Sequence, residues 1–215
     1  MTQWLSRVLL VGPLAADPAR AQFHVPWKEV PAVTVTGGTQ DDPRFQLVDD
    51  AVAFWNWTLE QQGSGFRLGG VTRLVRPVPE QAVVSISASL LSSALPSRLD
   101  LSVLAELPGN LVVVLAESDF ISFAAPFFGP SKRVVGIKGL GFSPLTLPNV
   151  ARNVIAHELG HAIGLGHNGD PGTLMCGRPS PCRPALFQSE APRLFPLTGD
   201  ELRTMYSADW KPKQL

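Results

Sequence analysis

Residues 157 to 167 read HELGHAIGLGH, which places three histidines, one carboxylate and Gly164 in the spacing H-E-x-x-H-x-x-G-x-x-H. Residues four apart share one face of a helix, so His157 and His161 can present their imidazoles to a single ion. Glu158 sits about 100° around the helix from His157, within reach of a metal-bound water without being a ligand itself. Gly164 suits a left-handed helix ending that turns the chain and delivers His167 as a third ligand. Three neutral nitrogens and one open position describe a catalytic rather than a structural zinc site. Five fixed residues of these types should fall together by chance in about one chain in 10⁵ of this length. Only four histidines occur in the 215 residues and three are here. His24, the fourth, reads as a surface residue rather than a ligand.

The motif needs a helix under it, and the sequence supplies one: Pro148-Asn149 precede an apolar helix from Val150 that runs into His157. A second helix, of about four turns, is expected from near Pro43 to the Gly63-Ser64-Gly65 stop. Along it Leu47, Ala51, Phe54, Trp55 and Leu59, joined by Val48 and Val52, form a broad apolar stripe. Leu111 to Ala116 (LVVVLA) is a continuous apolar run, the mark of a central strand buried on both faces. Ala32 to Thr36 reads as a strand ended by Gly37-Gly38. Phe66 to Val75, Ala82 to Ser87, Ile121 to Ala125 and Arg133 to Ile137 alternate like further strands. Ser89 to Glu106 is ambiguous, with room for a short helix broken at Pro96. No repeat or linker interrupts the chain, so one domain is expected.

Composition sets the setting. An apolar fraction of 45% with 17% charged residues argues against disorder. Eighteen basic and eighteen acidic side chains cancel, so no strong field recruits nucleic acid or an anionic membrane. No apolar run approaches the roughly 20 residues of a membrane span. At the N-terminus Arg7, the apolar stretch Val8 to Ala16 and the small-x-small pattern Ala19-Arg20-Ala21 read as a secretory signal over residues 1–21. The mature domain is then 22–215, exported to a periplasmic or extracellular space and expected to be monomeric. Cys176 and Cys182 are the two cysteines. In an exported chain they favour a disulfide that pins a local loop, and two reduced thiols are the alternative.

His157, Glu158, His161, Gly164 and His167 resemble the elongated zinc motif of the metzincin metallopeptidases. Thr173-Leu174-Met175 follows His167 by eight residues, which is similar to the matrixin branch. The resemblance implies that Met175 forms an apolar floor under the imidazoles, the family's methionine turn. Pro196-Leu197-Thr198-Gly199-Asp200-Glu201 resembles the start of the last matrixin helix. Read from the residues alone, Thr198 and Glu201 make an S/T-x-x-E capping box, and Leu202, Met205 and Tyr206 a packing stripe. The likeness spans most of residues 27 to 210 and is sharp from Asn149 to Met175.

The fold so implied is an α+β zincin domain: a twisted mixed sheet, two long helices and a small C-terminal subdomain after the methionine turn. The activity implied is zinc-dependent endopeptidase cleavage of a peptide or protein, with Glu158 as general base and acid. The substrate would lie extended beside an edge strand, with Ile121 to Ala125 or Arg133 to Ile137 as candidates. The loop from Cys176 to Cys182, carrying Pro179 and Pro181, falls where the family builds its primary specificity pocket. Three features depart from the animal matrixins. No cysteine precedes Cys176 in these 215 residues, so no cysteine switch is expected. No histidine lies between His24 and His157, so their second, structural zinc has no ligands. Asn168 stands where matrixins usually have serine. Calcium stays open as a further ion, although the acidic residues show no EF-hand spacing. A catalytically silent, zinc-stabilised binding or adhesion protein of the same fold is the alternative function, and the presence of Glu158 argues against it.

Overall fold

The computed structural model describes residues 27–92, 102–127, 132–177, 182 and 191–205. The signal-like segment 1–21, His24, Pro96, Pro179, Pro181 and Tyr206 lie outside the described residues. In chain order the elements are β1 (Val33–Gly37), α1 (Arg44–Gln61), β2 (Val71–Val75), α2 (Glu80–Ser92) and α3 (Ser102–Ala105). They continue with β3 (Leu111–Leu115), β4 (Phe123–Phe127), β5 (Lys132–Ile137), α4 (Pro148–Ile163) and α5 (Gly199–Met205). The strands form one sheet in the order β2-β1-β3-β5-β4. All pairings are parallel except β4 with β5, so the α+β domain has a mixed sheet.

β3 shows why its sequence is apolar at every position. Leu111, Val113 and Leu115 point into one core, and Val112, Val114 and Ala116 into the other, as a period of two requires. α1 and α4 cover the first face. Trp55 is fully buried there, and its indole N–H donates to the Ala156 carbonyl on α4 at 2.9 Å. α2 and α3 cover the second face through Val83, Ile86 and Leu104.

The expected strand over Ala82 to Ser87 is therefore corrected: this segment lies inside α2. Val83, Ile86 and Ser87 are its buried positions, the i, i+3, i+4 spacing of a helix face. A run as short as AVVSIS satisfies a period of two and one of 3.6 alike, and the second layer over the sheet decides. The strand expected over Phe66 to Val75 shortens to β2, because Phe66 and Leu68 turn into the α1 core before pairing starts at Val71. One of the two candidate edge strands is also excluded: β5 is paired on both sides, by β3 and by β4. β4 is the edge, and Pro126, which has no N–H to give a ladder, sits in it where that loss is tolerated.

Buried Arg44 ties the start of α1 to the ends of two strands. Its guanidinium donates to the Ala116 carbonyl at 2.6 Å and the Lys138 carbonyl at 3.0 Å, and pairs with Asp42 at 2.6 Å. At the other end of the fold Arg133 closes the C-terminus of α4, donating to the Ala162 carbonyl while lying 4.3 Å over the Trp27 ring. Trp27 donates to that same carbonyl at 2.9 Å. Burial pushes the Arg133 pKa down to about 10, which leaves it charged at neutral pH beside the negative end of the helix. The helix that carries the histidine motif is thus anchored at its functional end.

Candidate metal centre and its cleft

α4 begins with Pro148 at its first position and ends on Gly164, whose φ of 110° lies in the left-handed region. Gly164 N–H donates to the His161 carbonyl and Leu165 N–H to the Gly160 carbonyl, so the helix ends in a Schellman-type turn. The chain then reverses and brings His167 back against the helix. Its Nε2 lies 3.2 Å from His157 Nε2 and 3.0 Å from His161 Nε2. Two ligands on a tetrahedral zinc at about 2.0–2.1 Å would stand roughly 3.3 Å apart. His167 stands from each helical histidine at close to that spacing, and all three ligand nitrogens lie within 4.8 Å of one another.

The ring orientations are fixed from behind. His157 Nδ1 lies 2.7 Å from the Leu174 carbonyl and His161 Nδ1 lies 2.8 Å from the Leu165 carbonyl. A carbonyl only accepts, so each Nδ1 carries the proton and each Nε2 turns a lone pair inward. A cation among the three nitrogens satisfies those converging lone pairs. The donor set fits zinc: three imidazoles, the two on α4 oriented by carbonyls behind them, facing a cavity that all three line.

Met175 is fully buried and packs against α4 at Gly160, the residue before His161. A Cβ built on Gly160 would meet Met175 Sδ at 2.5 Å and Trp55 Cζ2 at 2.8 Å, so the missing side chain is the space both occupy. Glu158 is 7% exposed and borders the same cavity as the histidines. Cys176 and Cys182 form a disulfide that lines the same cavity. The cavity has a volume of about 650 Å³. It is lined by Phe123 and Ala124 of β4, Lys138 and Leu145 of the β5–α4 connection, and Leu90 and Leu91 of α2.

Sequence reasoning missed two features of this region. Buried Asn149 and Asn153 on α4 clamp the chain before α5. Asn149 Oδ1 accepts from Arg193 N–H at 3.0 Å, and Asn153 accepts from Phe195 N–H at 2.7 Å while donating to the Arg193 carbonyl at 2.9 Å. Polar residues on the inward face of an apolar helix were the available signal. The second is α2, whose C-terminal end forms one wall of the cleft.

His161 is pushed down to a pKa of about 4, chiefly by burial; the Leu165 carbonyl acts against this and the nearby His167 adds to it. Above pH 6.5 the ring is neutral folded and unfolded, and its stability contribution is fully present. Between pH 6.5 and 4 the unfolded chain takes up a proton that the fold refuses, so stability falls with pH. The metal-free protein is expected to lose about 3 kcal/mol from this group across that window. Urea melts of the chelator-treated protein from pH 7 to 4 check it, and a flat profile would contradict it.

No protein-family model matches the chain, and no curated protein matches it. Among solved structures it is similar to archaemetzincin from Methanopyrus kandleri, at 18% identity and a TM-score of 0.45, over 83% of this chain and 94% of that one. It is also similar to a zinc-dependent peptidase from Methanocorpusculum labreanum, at 14% identity and a TM-score of 0.36, over 81% of this chain and 100% of that one. Likeness at this level carries no weight for function, which rests on the site's own geometry.

Proposed function

We propose that this protein is a zinc-dependent endopeptidase of metzincin type, matrixin-like, with His157, His161 and His167 as ligands and Glu158 as general base and acid. The observation that carries this reading is the meeting of three inward-facing Nε2 atoms in an open cavity that Glu158 and an edge strand also border. Zinc held there supplies Lewis-acid polarisation of the scissile carbonyl and acidifies a water. The Glu158 carboxylate accepts a proton from the attacking water and returns it to the nitrogen of the leaving amine. β4, an edge strand of the sheet among the described residues, offers backbone groups to an extended peptide, which aligns the scissile bond. The matrixin-like assignment is supported by the eight-residue step from His167 to Met175 and by the capping-box helix α5. Export is supported by the signal-like N-terminus and by a disulfide, a bond that persists in oxidising compartments. A mixed peptide library, incubated with and without a chelator, tests the reading. Cleavage products should appear only while zinc is retained, and a zinc-loaded protein that cleaves no peptide would favour the silent binding protein instead.

The cleft also carries a substrate preference. Leu90, Leu91 and Ile121 are 47%, 62% and 46% exposed, and all three line the cavity. A large apolar side chain of the substrate would cover them. Leu91→Asp should lower kcat/KM about tenfold for peptides with such a side chain, mainly through KM, since about 1.4 kcal/mol of apolar burial is lost. Peptides without one should be cleaved as before. Equal losses on both substrate sets would remove α2 from the binding surface.

A further inference from the structure

His167 is the one member of the triad outside α4, and the residue after it is bonded to a distant helix. Asn168 Nδ2 donates to Glu201 Oε1 on α5, 33 residues away. Asn168 Oδ1 accepts from Asp170 N–H at 2.7 Å, and its side chain also meets Thr173 Oγ1 at 2.9 to 3.0 Å. The main chain of Asn168 is held as well: its N–H donates to the Met175 carbonyl at 2.9 Å, and its carbonyl accepts from Gly177 N–H at 3.0 Å. Glu201 is 7% exposed. One of its oxygens closes the capping box, accepting from Thr198 N–H at 2.7 Å, while Thr198 Oγ1 accepts from Glu201 N–H at 3.2 Å. A capping box needs only that oxygen. The other is committed to Asn168.

We propose that the Glu201–Asn168 bridge positions His167, so that α5 belongs functionally to the metal centre although it contributes no ligand. Glu201 and Asn168 are then positioning residues, acting on the metal through the backbone of residue 167. This rests on the reading of the triad as a zinc site. The physical basis is the angular demand of tetrahedral coordination. His157 and His161 are set by helix geometry and by carbonyls, whereas the third nitrogen depends on the loop from Gly164 to Gly177. A charge-assisted bond to a buried carboxylate is a strong way to hold one point of that loop.

The direction of the bond makes the proposal testable. Asn168→Asp sets one carboxylate against another. Glu201→Gln sets one amide NH₂ against another or gives up the Thr198 bond. The double variant Asn168→Asp/Glu201→Gln reverses donor and acceptor. The amide introduced on α5 would then donate to the new carboxylate and still accept from Thr198 N–H. Zinc affinity is read by competition with a chromophoric chelator, and the site's geometry by the visible spectrum of the cobalt-substituted protein. Each single variant should lose about 10- to 100-fold in affinity, with a weakened tetrahedral cobalt spectrum, and the double variant should recover both. If Asn168→Asp does not fold, Asn168→Ala removes the bridge without opposing charges and should show the same loss. Single variants that bind like the parent, or a double variant no better than its parents, would overturn the bridge. A parent protein that binds no zinc would overturn the site itself, a separate outcome read without any peptidase assay.

Discussion

Glu158→Gln lowers peptide turnover by about 10² to 10⁴ while the zinc stays bound; this is the expected cost of losing a positioned general base. The substitution keeps the length of the side chain and nearly its helix propensity, so α4 should not change. Both helical histidines keep their orienting bonds, to the Leu174 and Leu165 carbonyls, because neither involves residue 158. An amide in place of the carboxylate still fits the cavity wall but cannot take up the water's proton at neutral pH. Zinc content and melting temperature should therefore match the parent, and the loss should fall on kcat. Under the binding-protein alternative the parent has no turnover to lose. A variant that retains zinc and cleaves at the parent rate would remove Glu158 from the chemistry.

The parts of this protein that the sequence made legible are those whose signal is local. HELGHAIGLGH specifies helix, turn and triad within eleven residues, and Gly164 carries the turn through its own φ. The stripe from Leu47 to Leu59 and the run from Leu111 to Leu115 announce α1 and the central strand, because burial on one face or on both leaves a distinct period. Where the signal depends on partners, it fails. Ile121 to Ala125 and Arg133 to Ile137 look alike as strands, and only the sheet order shows that β5 is enclosed and that β4 is an edge strand among the described residues. Ala82 to Ser87 reads as a strand until the second face of the sheet is seen to need a cover. The S/T-x-x-E pattern at Thr198 and Glu201 was readable as a cap, yet nothing local shows that the second carboxylate oxygen reaches Asn168. The asparagine clamps of α4 are missed for the same reason, with partners about 40 residues on.

Gly177→Ala is expected to damage the metal centre without touching a ligand. A Cβ on Gly177 would stand 2.1 Å from His167 Cγ, 2.5 Å from its Nδ1 and 2.6 Å from its Cβ. These are atoms at the base of the imidazole, so the ring cannot escape by a small swing of a flexible end and the whole side chain must shift. Gly177 cannot easily retreat instead. Its N–H is bonded to the Asn168 carbonyl, and the preceding Cys176 is tied to Cys182 by the disulfide. The displaced Nε2 then misses the point where the nitrogens of His157 and His161 converge. Zinc affinity should fall about 10- to 100-fold, as when the outer support of a metal ligand is removed. Turnover of the zinc-saturated variant should fall about 10²-fold, the usual consequence of misplacing a reacting group by roughly 1 Å. Gly38→Ala is the matching control, because a Cβ there meets nothing within 4 Å, and it should leave both quantities unchanged. A Gly177→Ala protein that binds zinc and cleaves peptide like the Gly38→Ala control would show that His167 does not hold the metal from the position seen here.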